Sequence, residues 1–390
     1  MFPRRTLLKS VAAVTLGATA PSATAFELPA GNTAWRRGPS VAPDYFPIGV
    51  WLQDPRNAER YRAAGINLYV GLWKGPTHEQ LNQLKAAGMR VVCDQNAVGL
   101  ERIEDPTIAA WMHGDEPDNA QAKPGGGYGG PIPFLKIQED YEAIRRKDPS
   151  RPVMLNLGQG VANDEWKGRA ARVEDYPAYC KGADIVSFDV YPVAGIQKPD
   201  GENYLWLVPK GVDRLRSWTG GKKPIWTCIE CSKISAGRKA SPDQVRAEVW
   251  MALIRGARGL IYFVHQFRPN FVEASLLQDP ELLQAVTRLN AEIRDLAPVL
   301  NATEEPMPEP VSRDAAIPVA AMARRVGKSV HVFAVGMRNA GTSAEITLPQ
   351  GVRAQEVIEV GSGRKLVVKG QRFSDDFHPY AMRHYTVPVG

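Results

Sequence analysis

Four cysteines in 390 residues are too few and too scattered to staple a chain of this length, so a disulfide scaffold is not what organises it. Cys228 and Cys231 form a C-x-x-C, but the pair ends an apolar run instead of opening a helix. Buried free thiols are therefore expected, with a redox protein as a further alternative. Histidine is scarce too. The six present show no H-x-H or H-E-x-x-H spacing, and no second ligand pair accompanies the C-x-x-C, so neither a catalytic metal nor another cofactor is expected. No Gly-x-Gly-x-x-Gly follows the first apolar strand, and no Gly-Lys-Ser/Thr closes the glycine-rich loop at 125–130, which removes the dinucleotide and phosphate-loop signatures. The basic excess is only +6 and nowhere clusters into a patch, which argues against a nucleic-acid partner. Beyond the N-terminus no apolar run approaches the length that spans a bilayer, so no stable membrane insertion is expected.

Residues 1–25 read as a targeting segment. Arg4, Arg5 and Lys9 precede an apolar run at 11–20, and Ala23-Thr24-Ala25 offers a small-residue cleavage site before Phe26. The arginine pair followed by Leu7-Leu8-Lys9 resembles a twin-arginine export signal, with a general secretory signal as the alternative. A periplasmic or secreted protein is the expectation, with a net charge near +3 once the segment is removed.

After a lead-in at 26–45, the chain settles into strand-then-helix units. Short apolar runs at 46–52, 67–73, 90–95, 108–116, 153–157, 185–191, 224–229 and 260–266 read as strands. Helical patterns at 55–64, 77–87, 133–147, 205–218, 242–255 and 280–296 follow or separate them, with Gly65 and Gly88 as stops. Eight such units within 46–303 have the count and length of a closed (β/α)8 TIM barrel. A doubly wound open sheet is the competitor, but polar and aromatic residues recur at many strand ends, not at one crevice. The texture changes at 304–310, a proline-rich connector. Alternating runs at short spacing then predict a small all-β sandwich over 311–390, expected to brace the barrel.

A barrel enzyme carries its reactive groups where strands end, at the C-terminal mouth. In Trp111-Met112-His113-Gly114-Asp115-Glu116-Pro117-Asp118 an apolar approach runs into two adjacent carboxylates. In the seventh strand Trp226, Cys228 and Glu230 share the face opposite Ile225 and Ile229, which by alternation points Glu230 into the barrel. In the sixth, Ser187, Asp189 and Tyr191 share a face; Tyr191 is expected in the pocket and Asp189 deeper, in a hydrogen-bonding role. Paired glutamates across a mouth suit glycosidic bond cleavage, in which one carboxyl must be protonated at rest and the other ionised. An ionised Asp115 would help to hold Glu116 protonated. Trp51 and Trp73 are candidate stacking platforms, and Asp94, Gln95, Asn156, Gln159, His265 and Gln266 candidate polar contacts. His113 reads as structural, and Tyr128 is the candidate tip of the glycine-rich loop.

With these residues the chain resembles the retaining glycoside hydrolases of clan A, whose (β/α)8 barrels carry an acid/base glutamate at the fourth strand and a nucleophile glutamate at the seventh. Gly114-Asp115-Glu116-Pro117 is similar to the fourth-strand ends of bacterial relatives of family 42 β-galactosidases. The resemblance implies Glu116 as acid/base, Glu230 as nucleophile, and a Tyr191 phenol bonded to that nucleophile. Much of the clan has Asn where this chain has Asp115. An oligo- or polysaccharide is the implied substrate, and the alternative is a barrel that binds carbohydrate without cleaving it.

Overall fold

The computed structural model describes residues 35–166, 172–196, 198, 200–235 and 237–388. Residues 1–25, read above as an export signal, and the first part of the lead-in lie outside the described residues. The barrel unit runs β1 (Ile48–Trp51), α1 (Ala58–Ala63), β2 (Leu68–Val70), α2 (His78–Ala86), β3 (Arg90–Cys93), α3 (Ala97–Glu101), β4 (Ile108–Met112), α4 (Phe134–Lys147) and β5 (Val153–Leu157). It continues α5 (Tyr176–Tyr179), β6 (Ile185–Phe188), α6 (Leu207–Trp218), β7 (Ile225–Glu230), α7 (Pro242–Ile254), β8 (Gly259–Phe263), α8 (Pro280–Asp295) and α9 (Ala297–Leu300). The eight strands pair in parallel and in sequence order, and β8 closes on β1.

Strand alternation builds two cores. Val70, Val92, Ala110, Met154, Trp226, Cys228 and Ile261 fill the barrel interior. Their neighbours Tyr69, Val91, Trp111, Leu155, Val186 and Ile229 face outward into the helical layer. The helices start where the sequence caps them: Thr77 and Gln80 form a capping box on α2, and Ser241 and Gln244 do so on α7. Gly65 closes the first helical segment with φ +80°, and a Cβ there would come within 2.8 Å of Asn290.

Several expected strands end sooner. The fourth stops at Met112 and the sixth at Phe188, so the carboxylates of both units sit on turns just past the pleat. The C-terminal strands are β9 (Glu304–Glu305), β10 (Val311–Ser312), β11 (Val319–Val326), β12 (Ser329–Gly336), β13 (Thr342–Thr347), β14 (Glu356–Glu359), β15 (Lys365–Val367), β16 (Arg372–Phe377) and β17 (Met382–Pro388). They form two antiparallel sheets, β10-β13-β16 and β15-β14-β17-β12-β11-β9, that share one apolar cluster. The stretch expected as linker begins as an edge strand, because Glu304 and Glu305 pair with Arg324 and Arg325 across the ladder. This region docks on the barrel through Met322, Phe333, Val335 and Met337, which join the barrel's outer core. Among the described residues no helix is long and apolar enough to cross a membrane.

Candidate active site

The turn after β4 gathers the acids. His113 is buried and its Nε2 lies 2.7 Å from the Gly182 carbonyl, a structural tie, as expected. The chain then bends: Glu116 adopts φ +43°, a conformation costing a residue with a Cβ about 1–3 kcal/mol, while its N–H still reaches the Asn156 carbonyl on β5 at 3.2 Å. Asp118 is fully enclosed and accepts from the Gly158 N–H at 2.9 Å and the Tyr176 hydroxyl at 3.0 Å, which pins the turn. Burial pushes Asp118 up to about 6.

Four carboxyls converge here. Asn156 donates from Nδ2 to Asp115 at 2.9 Å and to Asp189 at 3.4 Å, and its Oδ1 accepts from Ser187 at 2.7 Å. Glu116 accepts from Asn119 Nδ2 at 3.1 Å, and Asp189, one residue past the end of β6, lies close enough for the Glu116 charge to act on it. The Tyr191 hydroxyl lies 3.5 Å from Asp189, and the Tyr191 ring leans on Phe263 at 4.8 Å. Tyr191 packs against the barrel interior, and its carboxyl neighbour is Asp189 and not Glu230.

The electrostatics differ from the sequence expectation. Asp115 is exposed along one side while its carboxyl is tucked against Asn156. Burial first, and then the Glu116 charge, push it up to about 7. Asp189 is raised well above the carboxylate range by burial and then by the charges of Glu116 and Asp115. Asp189 is thus the carboxyl of the cluster most favoured to hold a proton. Among the described residues no lysine or arginine ion-pairs with Asp115, Glu116, Asp118 or Asp189, so the acids hold down one another's ionisation.

Gly158 leaves room for this geometry. A Cβ there would fall 2.7 Å from Glu116 Oε1. Gly158→Ala, whose backbone φ of −79° suits alanine, should fold normally yet displace the Glu116 carboxylate. The expected loss in kcat/KM is about 100-fold, the scale for a misplaced reacting group, measured against an unchanged circular dichroism spectrum.

Glu230 corrects the expectation of alternation. It is completely buried, its Oε1 accepts from the Val193 N–H at 2.7 Å and its Oε2 from the Ala194 N–H at 2.5 Å, and the Glu248 carboxyl of α7 lies beside it. As the last residue of β7 its side chain follows those donors and not the barrel axis. It is not among the carboxyls that meet Glu116.

The other candidates divide. Trp51 is 6% exposed and packs in the interior, so it is core and not a platform. Gln95 donates to the Ile144 carbonyl at 3.1 Å, tying β3 to α4. Asp94 is exposed at the end of β3, and Tyr128 is exposed on its loop. Trp73, 68% exposed, lines a cleft of about 970 Å³ with His265, Phe267, Phe271, Glu79 and Glu273. Rings connect this cleft to the mouth: Phe263 touches Tyr191 and His265, and lies 6.2 Å from Phe267, which is 5.7 Å from Phe271. Phe267 and Phe271 escaped the sequence reading, although two phenylalanines in a polar post-strand loop were a visible signal. All four cysteines are free and buried, and burial raises every thiol, which is unsuited to a cycling C-x-x-C.

No family model matches the chain, and no curated protein matches it. Solved structures do. AmyP in complex with maltose aligns with a TM-score of 0.50 at 10% identity, over 90% of this chain and 98% of that one. A noncanonic maltogenic α-amylase AmyB from Thermotoga neapolitana aligns with a TM-score of 0.51 at 8% identity, over 90% and 100%. At such identities the likeness is one of fold alone. Neither ties it to family 42 β-galactosidases.

Proposed function

We propose that this protein is a glycoside hydrolase acting on an oligo- or polysaccharide, with Asp189 as acid/base and Glu116 as nucleophile. The observation that carries the reading is the cluster of Asp115, Glu116 and Asp189 just past β4 and β6 of a closed barrel, with Asn156 bridging Asp115 and Asp189. One carboxyl is kept protonated for the leaving oxygen, and another faces it as a charge. Two neighbouring carboxyls stand nearer the separation of about 5–5.5 Å used for retention than the wider one used for inversion. Retention is therefore the favoured course: Glu116 attacks the anomeric carbon while Asp189 protonates the departing oxygen, and Asp189 then takes a proton from water as the glycosyl ester is hydrolysed. This exchanges the roles implied by the clan resemblance, moving the second carboxyl from β7 to β6. Asn156 and Tyr191 orient the acid.

The reading is tested by a screen of aryl glycosides and polysaccharides, with proton NMR of the first anomer released. Retained configuration supports it. Glycan binding without turnover across the screen would favour a carbohydrate-binding barrel instead.

The ring-lined cleft suits further sugar units, whose apolar faces stack on aromatics. Trp73→Ala should raise KM for oligosaccharides roughly 2–10-fold, from about 0.5–1.5 kcal/mol of stacking, while leaving kcat for a monosaccharide aryl glycoside unchanged. Steady-state kinetics on both substrate lengths checks this. The pattern of residues 1–25 supports export across the inner membrane, tested by N-terminal sequencing for a chain starting at Phe26.

A further inference from the structure

Glu248 is a carboxyl that the proposed chemistry does not use. It lies on α7, is completely buried, and neither of its carboxyl oxygens has a hydrogen-bond partner, although the equally buried Glu230 carboxyl lies beside it. Two enclosed carboxyls in contact cannot both be ionised, so the pair holds one proton. Glu248 keeps it, because burial and then the Glu230 charge raise it well above its ordinary range. Glu230 is left as the acceptor for the N–H groups of Val193 and Ala194, with the Glu248 carboxyl beside it.

Those amides belong to the turn after Asp189 and Tyr191, where the N–H groups of Gly195 and Ile196 fold back onto the Tyr191 carbonyl at 2.8 and 2.9 Å. Arg238 grips the same turn from its carbonyl side, donating to Val193 at 2.9 Å and Ile196 at 3.3 Å. The carboxyl pair and the guanidinium together leave this turn one position.

We propose that Glu230 and Glu248 are positioning residues: a shared-proton clamp that holds the 191–196 turn, and through it the Asp189 acid and the Tyr191 phenol, in register with Glu116. The inference rests on the assignment of Asp189 under Proposed function. The charged and titratable groups facing the pair are Arg238 from the β7–α7 loop, Cys231 beside β7, and Tyr380 from the C-terminal region, with Lys239 and Asp279 beyond Cys231. Because the raised Glu248 carboxyl binds its proton in the folded state and releases it when unfolded, this contribution to stability is present at low pH and lost as pH rises through the folded value.

The test compares Glu248→Gln, which can donate to Glu230 but does not titrate, with Glu248→Leu, which does neither. Melting temperature is followed against pH, and kcat and KM are measured on whichever aryl glycoside the wild type cleaves. Glu248→Gln should keep wild-type kcat and lack the wild type's alkaline fall in melting temperature. Glu248→Leu should lose at least about 10-fold in kcat with KM within about 2-fold, and its activity should fail at a different pH, as expected for a displaced acid. Equal loss of kcat in both variants, or lower melting temperatures with kcat and pH profile intact, overturns the proposal. Should Glu248→Leu not fold, an alkaline fall in Glu248→Gln equal to wild type overturns it. The melting series needs no substrate, so absence of glycosidase activity counts against the assigned reaction while the clamp is still decided.

Discussion

Asp189→Asn should leave the barrel folded and lower kcat/KM by about 10²–10⁴-fold, the range for removing a positioned general acid. The amide can still accept from Asn156 and donate to Glu116, so packing at the end of β6 is kept while the transferable proton is lost. The pH profile carries the sign. Burial and the neighbouring acids raise Asp189 well above the carboxylate range, so activity falls only as pH rises past that raised value. In the variant this alkaline limb should vanish. Aryl glycosides with good leaving groups, which need little protonation, should be cleaved far better by the variant than poor ones. Glu116→Gln should fail on both, because no acidity of the leaving group replaces a nucleophile. The contrast with Glu230→Gln is one of kind: its defect should appear as a lower melting temperature together with a smaller fall in kcat than that of Asp189→Asn. If Glu230→Gln were stable and inactive while Asp189→Asn remained active, the β4–β7 arrangement would be right and the β4–β6 arrangement wrong.

The barrel was legible because its strands are short apolar runs bounded by glycine or by helical periodicity, and each predicted run overlaps an observed strand. Asp189 was half legible. Alternation placed it on the inner face with Ser187 and Tyr191, but the strand was drawn too long, and a strand ending at Phe188 leaves the acid at the mouth. Glu230 was misread for a related reason. Pleat alternation governs residues within a ladder, whereas the last side chain of a strand goes to its donors, and those lie 36 and 37 residues away in the chain. A hint was available in α7, where Glu248 interrupts an apolar run that is otherwise buried from 247 to 254. An acid in that setting needs a partner, and Glu230 was the acid without an evident one. β16 went unread because its strand pattern is carried by Asp375, buried against Arg364 and Tyr385, so a charge occupies a core position.

Trp250→Ala should be the most damaging single change to stability, because α7 lies between two layers. One side packs on β7 and the other on β12, which is why the helix is apolar all round instead of amphipathic. Trp250 is fully buried and stacks on Phe333 at 5.3 Å, and Phe333 in turn stacks on His384 at 4.2 Å. Truncation removes an indole from a layer that neither sheet nor helix can collapse to fill, and large-to-small changes of this kind cost about 3–5 kcal/mol. For a unit of barrel size that is a fall in melting temperature of roughly 10 °C. Trp250→Phe, which keeps the ring stack and most of the volume, should cost under about 2 kcal/mol. The loss should also be local in its consequences. With the Trp250–Phe333 stack gone, the C-terminal sheets keep their own apolar cluster but lose their main aromatic hold on the barrel, so limited proteolysis should cut the variant at the proline-rich stretch 306–310 before the barrel itself is digested. Uniform digestion at the wild-type rate, or a melting temperature unchanged from wild type, would show that this stack does not hold the C-terminal region in place.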